Sequence, residues 1–199
     1  MTVIVAINDE KNNRIILGTD KQVTEGYVKR YIESKIVVID IPVIDGYGEQ
    51  VRNDKCFIGI CGRLYMNSFL EYGFEAPSMP NNMEFIEYLH KNFLNHLRDE
   101  LVKRKLTEEH NSQFDSECGF VIVYNDEIFE VETNFGVTPI MEGVCVDGSG
   151  YIEALASLYT SNKLNPNIGA VKQVELAIEA ASYHNLYCNG ESDIRIIEY

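Results

Sequence analysis

Apolar residues along this chain recur in two rhythms, and the rhythm changes four times between the first residue and the last. Val3 to Ile7 is a β-branched run, Asn8 to Asn13 is a polar cluster, and Arg14 to Leu17 is apolar again, which predicts an antiparallel hairpin. Gly18-Thr19-Asp20 leaves the return strand. Residues 27–40 predict a second hairpin or an irregular strand pair, ending in Lys35-Ile36-Val37-Val38-Ile39. Pro42 to Asp54, with its proline, paired glycines and mixed charge, reads as a surface loop. Lys55 to Cys61 is the next strand, closed by Gly62.

The rhythm then becomes helical. Leu64 to Tyr72 predicts a short helix stopped by Gly73, and a longer one starts near Asn81, where Asn81 and Glu84 have the spacing of a capping box. Its apolar stripe is Ile86, Leu89, Phe93, Leu97 and Leu101, and Lys103, Arg104 and Lys105 suit its C-terminal end. After a polar linker from Thr107 to Glu117, three strands are expected at Cys118–Tyr124, Glu127–Glu132 and Thr138–Asp147. Helices follow from Ile152 to Tyr159 and from Ile168 to Tyr183, the second opened by Asn165-Pro166, and Ile194 to Ile197 closes the chain as a strand. No repeat or linker divides residues 1–199, so a single domain is expected. Strand blocks alternating with helical pairs imply an α+β fold, a four-layer α-β-β-α sandwich of two antiparallel sheets flanked by helices.

Charge narrows the functional classes. The 17 Lys and Arg against 31 Asp and Glu leave a formal charge of -14, which disfavours nucleic acid and anionic lipid as partners. No apolar run approaches the ~20 residues of a membrane span, and the opening residues lack a basic leader, so a cytoplasmic chain is expected. Cys56, Cys61, Cys118, Cys145 and Cys188 show no C-x-x-C spacing and mostly occupy apolar runs, which suits a reducing compartment. The histidines are not spaced for zinc, and neither His110 nor His184 has neighbours that single it out as catalytic.

Thr2 carries the chemistry of interest. Initiator methionine is readily removed before a small residue, and a chain that begins with threonine holds a hydroxyl nucleophile and an amine base on one residue. The α-amine titrates near 7.7–8.0 in the reference state, so a useful fraction is neutral around pH 7. Met-Thr openings are also common for no reason but processing. The predicted hairpin returns Asp20 to the level of Thr2, and Lys35 sits inside the apolar run Ile32 to Ile39, where an ammonium needs a partner. An Asp20–Lys35 pair beside Thr2 accounts for both; equally, Asp20 can cap a turn and Lys35 can snorkel outward.

Met-Thr-Val-Ile-Val-Ala, Gly18-Thr19-Asp20-Lys21-Gln22-Val23-Thr24-Glu25-Gly26 and Ser34-Lys35-Ile36 together resemble the opening of proteasome-type subunits of the N-terminal-nucleophile (Ntn) hydrolase family. The bacterial heat-shock threonine peptidase is the nearest in flavour. Lys55 through Gly62, Val144-Cys145-Val146-Asp147-Gly148-Ser149-Gly150-Tyr151, and Ala177 through Asn189 are similar to further motifs of that family, in the same order over nearly the whole chain. The resemblance implies a threonine endopeptidase that hydrolyses unfolded polypeptides through an acyl ester on Thr2 once Met1 is gone. Asp20 and Lys35 would be the supporting ion pair, Gly62 the oxyanion donor, and Ser149 a proton shuttle near the amine. Ser149 also has the position of an N-cap for the Ile152 helix.

The resemblance further implies a homo-oligomeric ring, with stacking of rings and an ATPase unfoldase as partner. No cofactor is required, although backbone carbonyls of Ser182, Asn185 and Cys188 would hold a structural monovalent cation. This chain departs from the family pattern in places. Asn185 stands where many subunits carry aspartate, Arg63 and Leu64 replace smaller residues beside Gly62, and the Pro42–Asp54 and Phe74–Asn82 stretches are longer than in the bacterial peptidase. Two other readings keep the fold: a non-catalytic ring subunit that retains Met1, and an amidohydrolase for small amides.

Overall fold

The computed structural model describes residues 2–25, 28–107, 114–189 and 191–199. Its β-branched opening forms β1 (Val3–Asp9), which a 3-10 turn at Glu10–Asn12 joins to β2 (Arg14–Thr19). The turn closes through Asn13 in the left-handed conformation at φ 48°, a geometry that asparagine tolerates better than most residues. β3 (Gln22–Glu25) and β4 (Val28–Tyr31) make a small separate ribbon. β5 (Ile36–Ile44), β6 (Gln50–Gly62), α1 (Tyr65–Tyr72) and the short β7 (Met79–Pro80) follow.

The next helix is continuous but irregular: α2 (Phe85–Tyr88), a π turn at Leu89–Phe93, then α3 (Leu94–Lys103). The Asn95 side chain donates to the carbonyls of His90 at 3.0 Å and Lys91 at 3.2 Å, serving acceptors that the wider turn leaves open. β8 (Cys118–Tyr124), β9 (Glu127–Val131), β10 (Val137–Pro139), β11 (Val144–Gly148), α4 (Tyr151–Leu164), α5 (Ala170–His184) and β12 (Asp193–Glu198) complete the chain.

The strands form a four-stranded sheet in the order β11-β1-β2-β12 and a six-stranded sheet in the order β10-β9-β8-β6-β5-β7. Period-two alternation sends successive side chains to opposite faces, and three separate cores result. Val3, Val5, Ile7 and Ile16 face outward onto Ala154, Leu158, Val174, Ala177 and Ile178 of α4 and α5. Ile4, Ala6, Ile15 and Leu17 face inward onto Ile36, Val121, Val123 and Ile128 of the second sheet. Ile39, Ile41, Val43, Ile58, Phe120 and Ile122 face the second helical layer through Phe69, Leu89, Phe93, Leu97 and Leu101. Three cores between four layers is the expected sandwich, and each fully buried Leu, Ile or Phe contributes about 1.5–3 kcal/mol relative to exposure. Among the described residues no helix is long and apolar enough to cross a membrane.

Several local expectations are corrected. Pro42 to Asp54 is mostly strand: Pro42 pairs with Asn53 and Val43 with Arg52, and the turn is confined to Asp45–Glu49. Asp45 builds that turn by accepting the amides of Tyr47 at 2.9 Å and Glu49 at 3.0 Å, so the paired glycines mark a hairpin tip. Residues 27–40 do not pair with themselves, because β4 pairs back to β3 and β5 pairs forward to β6. Asn81 is not a helix cap. Its amide donates to the Ile44 carbonyl at 2.9 Å, continuing the β7 pairing, and Glu84 is the cap residue without a side-chain bond. Thr138–Asp147 is two strands rather than one, and Pro166 lies in the turn before α5 instead of at its first position.

Candidate active site

Three strand ends meet where the first sheet approaches the second, and their side chains form a polar cluster in an apolar setting. The β1–β2 register opposes Ile4 with Thr19, which brings Asp20 beside Val3, and the Asp20 amide donates to the Val3 carbonyl at 3.3 Å. Lys35 precedes β5, and its carbonyl accepts the Ile60 amide of β6 at 3.1 Å. Thr2, Asp20 and Lys35 are 1%, 0% and 4% exposed. Sequence reasoning singled out these three, and the fold brings them into direct contact.

The Thr2 hydroxyl donates to Asp20 Oδ1 at 3.0 Å, Lys35 Nζ donates to the same oxygen at 2.7 Å, and Lys35 Nζ also contacts Thr2 Oγ1. Asp20 accepts three backbone amides as well: Val3 at 3.0 Å on Oδ1, and Gln22 at 3.1 Å and Asn189 at 3.2 Å on Oδ2. These donors satisfy the buried carboxylate oxygens, and the carboxylate in turn partners the buried ammonium beside it. Burial pulls the Lys35 ammonium below the ordinary lysine value, and the Asp20 carboxylate opposes that pull. The hydroxyl therefore sits against a cation whose charge favours the alkoxide.

A small open cleft of about 20 Å3 adjoins the cluster, lined by Thr2, Val23, Ile32, Lys35, Ile60 and Gly62, with Arg63, Leu64 and Asn67 at its side. Gly62 has φ 125°, and a Cβ there would stand 2.2 Å from the Glu117 carbonyl oxygen, so only glycine fits. Arg63 pairs with Glu117 through Nε and Nη2, each at 2.8 Å. Leu64, about half exposed, also lines the cleft.

Behind Thr2 the chain is gripped by the turn between β11 and α4. The Gly150 amide donates to the Thr2 carbonyl at 3.2 Å, and Ser149 Oγ donates to it at 3.3 Å. Gly148 allows this approach, since a Cβ there would fall 2.3 Å from the Thr2 carbonyl oxygen. Ser149 is not the helix cap: Gly150 occupies that position and no side chain bonds to the helix N-terminus. The Ser149 hydroxyl is instead committed to Thr2 and lies 3.7 Å from Cys188 Sγ.

Sequence reasoning missed the side chain of Asn185, whose amide donates to the Ser149 carbonyl at 2.7 Å, and the buried Gln22, whose amide donates to the Leu186 carbonyl at 3.0 Å. The signal available was an asparagine two residues past the predicted helix end at Tyr183, a place where its side chain commonly serves the following turn. Of the carbonyls suggested for a cation, that of Asn185 accepts the Cys188 amide at 3.2 Å, while the nearby Ser182 hydroxyl is buried without a partner among the described residues. No group of three or more His, Cys, Asp or Glu suited to a metal occurs among the described residues. His184 meets Tyr183 edge-on at 4.8 Å, and His110 and Met1 lie outside the described residues.

No protein-family model and no curated protein sequence matches the chain. Solved structures do. BPH from Thiobacillus denitrificans superposes with a TM-score of 0.76 at 20% identity, covering 100% of this chain and 98% of that one. The same protein in complex with epoxomicin gives 0.75 at 17% identity, covering 98% of each chain. The eukaryotic HslV of Trypanosoma brucei gives 0.64 at 16%, covering 99% of each. The chain thus has the HslV-type, proteasome-like Ntn fold from end to end.

Proposed function

We propose that this chain is a threonine endopeptidase of the proteasome-like type, with Thr2 as nucleophile after cleavage of the Met1–Thr2 bond. The observation that carries the reading is the buried contact of the Thr2 hydroxyl with both Asp20 and Lys35 at the head of an open cleft. An apolar interior holds such a triplet only at considerable desolvation cost.

In this reading the freed α-amine of Thr2 takes the hydroxyl proton while Oγ1 attacks a peptide carbonyl carbon. The oxyanion accepts the Gly62 amide, a type of contact worth about 2.7–4 kcal/mol in other hydrolases. The carbon–nitrogen bond breaks, the leaving amine takes the proton from the Thr2 ammonium, and an acyl ester remains on Oγ1. Water then attacks that ester with the same amine as base, releasing the acid and restoring the hydroxyl. Lys35 lowers the hydroxyl pKa, Asp20 keeps Lys35 in place, and Ser149 fixes the Thr2 main chain. No cofactor enters the chemistry; a monovalent cation on the Ser182, Asn185 and Cys188 carbonyls would only brace the turn behind it.

The exposed apolar face of α4 and α5, which includes Tyr151, Ile152, Tyr159 and Tyr183, supports assembly with further copies of this chain in a cytoplasmic ring. An ATPase unfoldase would then supply unfolded polypeptide. Fluorogenic peptides test the chemistry: hydrolysis should accompany loss of Met1 and vanish in Thr2→Ala. Epoxomicin, bound in one structural neighbour, should bind the processed protein and fail to bind that variant. Processed protein that ignores every peptide offered removes the proposal.

A further inference from the structure

A second polar contact crosses between the sheets beside the Thr2 cluster. Cys61, the residue before Gly62 in β6, donates its Sγ–H to Asp147 Oδ2 at 3.0 Å, and Asp147 is the residue before Gly148 in β11. The other carboxylate oxygen, Oδ1, accepts the Gly148 amide at 2.5 Å. Gly119 leaves room for the pair: a Cβ there would fall 2.9 Å from Asp147 Oδ2 and 3.0 Å from Cys61 Sγ.

Chemistry fixes the direction of this bond. A carboxylate only accepts, so the thiol must keep its proton. Burial pushes the Cys61 thiol well above its ordinary value, and the Asp147 charge pushes it the same way. By the two-residue period of a strand, Asp147 shares a face of β11 with Cys145, which lies in the apolar core between the sheets. A carboxylate on that face carries a desolvation cost that an apolar residue would avoid, and both of its oxygens are bound.

The bond joins the two sides of the proposed chemistry. On the β6 side, Gly62 carries the amide assigned to the oxyanion, and the Ile60 amide holds the Lys35 carbonyl at 3.1 Å. On the β11 side, Gly148 opens the turn whose Ser149 and Gly150 donate to the Thr2 carbonyl. The spacing of nucleophile and oxyanion donor is therefore the spacing of two strand ends, and the Cys61–Asp147 bond ties those ends together.

We propose that Cys61 and Asp147 are positioning residues that set the distance from Thr2 Oγ1 to the Gly62 amide. The inference rests on the threonine-nucleophile reading above. Loosening the tie leaves the cleft residues in place and misplaces groups that act in the transition state, so kcat falls while KM holds.

The test is kcat and KM for peptide hydrolysis by protein freed of Met1, with folding checked by near-ultraviolet circular dichroism. Wild type is compared with Cys61→Ala, Cys61→Ser, Asp147→Ala and the Cys61→Ala/Asp147→Ala double variant. Cys61→Ala should lower kcat roughly tenfold with KM within about twofold of wild type. Cys61→Ser restores a donor and should recover most of that loss. The double variant should be no slower than Asp147→Ala alone, since the thiol acts through the carboxylate. Wild-type kcat in Cys61→Ala, an equal loss in Cys61→Ser, or losses that multiply in the double variant overturn the positioning role. Should Asp147→Ala fail to fold, the two Cys61 variants decide the matter by themselves. A silent wild type without Met1 is a different result: it removes the threonine-nucleophile reading itself and the positioning role with it.

Discussion

The two helical layers are covered differently. Around the six-stranded sheet, α1 to α3 press a continuous aromatic cluster inward: Phe85 stacks on Tyr124 at 3.9 Å and meets Phe129 at 5.5 Å, and Phe74 meets Phe93 at 5.3 Å. Around the four-stranded sheet, α4 and α5 bury mainly Ala154, Ala170, Ala177 and Ala181 and leave Ile152, Tyr159, Leu164 and Tyr183 more than half exposed. The polar cluster of Thr2, Asp20 and Lys35 lies where the two sheets meet, and its supports at Ser149 and Asn185 flank α4 and α5 of the second layer. One half is built as a sealed core. The other accepts thin packing and buried charge, a pattern seen where local stability has been traded for chemistry and contact.

That contrast can be broken by substitution. The largest effect is expected at Thr2→Ala, which should cut peptide hydrolysis by about four orders of magnitude or more while stability moves by only about 1–3 kcal/mol for the two hydrogen bonds of the hydroxyl. Comparable loss of stability and of activity in that variant would mean that Thr2 is structural. Asp20→Asn should lower stability by about 3–5 kcal/mol, because it leaves the Lys35 ammonium buried without its counter-charge. Pairing it with Lys35→Met should recover most of that stability in denaturant titrations, yet peptide hydrolysis should stay absent. Recovery of activity in the double variant would contradict the assigned role of the ion pair.

Phe85→Ala probes the sealed half. It should cost about 3–5 kcal/mol, read by denaturant midpoint, with kcat/KM per folded molecule unchanged. Tyr159→Ser, on the exposed face of α4, should change the stability of a single chain by less than about 0.5 kcal/mol and shift the assembly toward smaller species in sedimentation. An unchanged assembly would leave that face without the partner assigned to it.

Much of this architecture is legible in the sequence, and the gaps have physical causes. The two-faced burial of Val3–Ile7 and Cys118–Tyr124 follows from their unbroken apolar runs, which a strand carries only between two packed layers. Hairpin length and an ammonium inside an apolar run allow the Thr2–Asp20–Lys35 contact, and equally allow an outward lysine. The β5–β6 hairpin was hidden by Pro42, which is tolerated because its partner strand β7 pairs only at Val43 and Ile44. The alternation Ile39, Ile41, Val43 runs straight through that proline. Ser149 resembles a cap by position alone, and its hydroxyl was taken by a carbonyl 147 residues earlier in the chain. The amides of Val3, Gln22 and Asn189 on Asp20 leave no trace in side-chain identity, because any residue but proline supplies a backbone N–H. What composition does not encode here is the company of the main chain.

Peptidase activity and intact mass should be measured on the same samples as Met1 is progressively removed. The account predicts activity in proportion to the fraction of chains that begin at Thr2, and an acyl adduct that maps to Thr2 when turnover is trapped. Full activity in chains that still carry Met1 would contradict it.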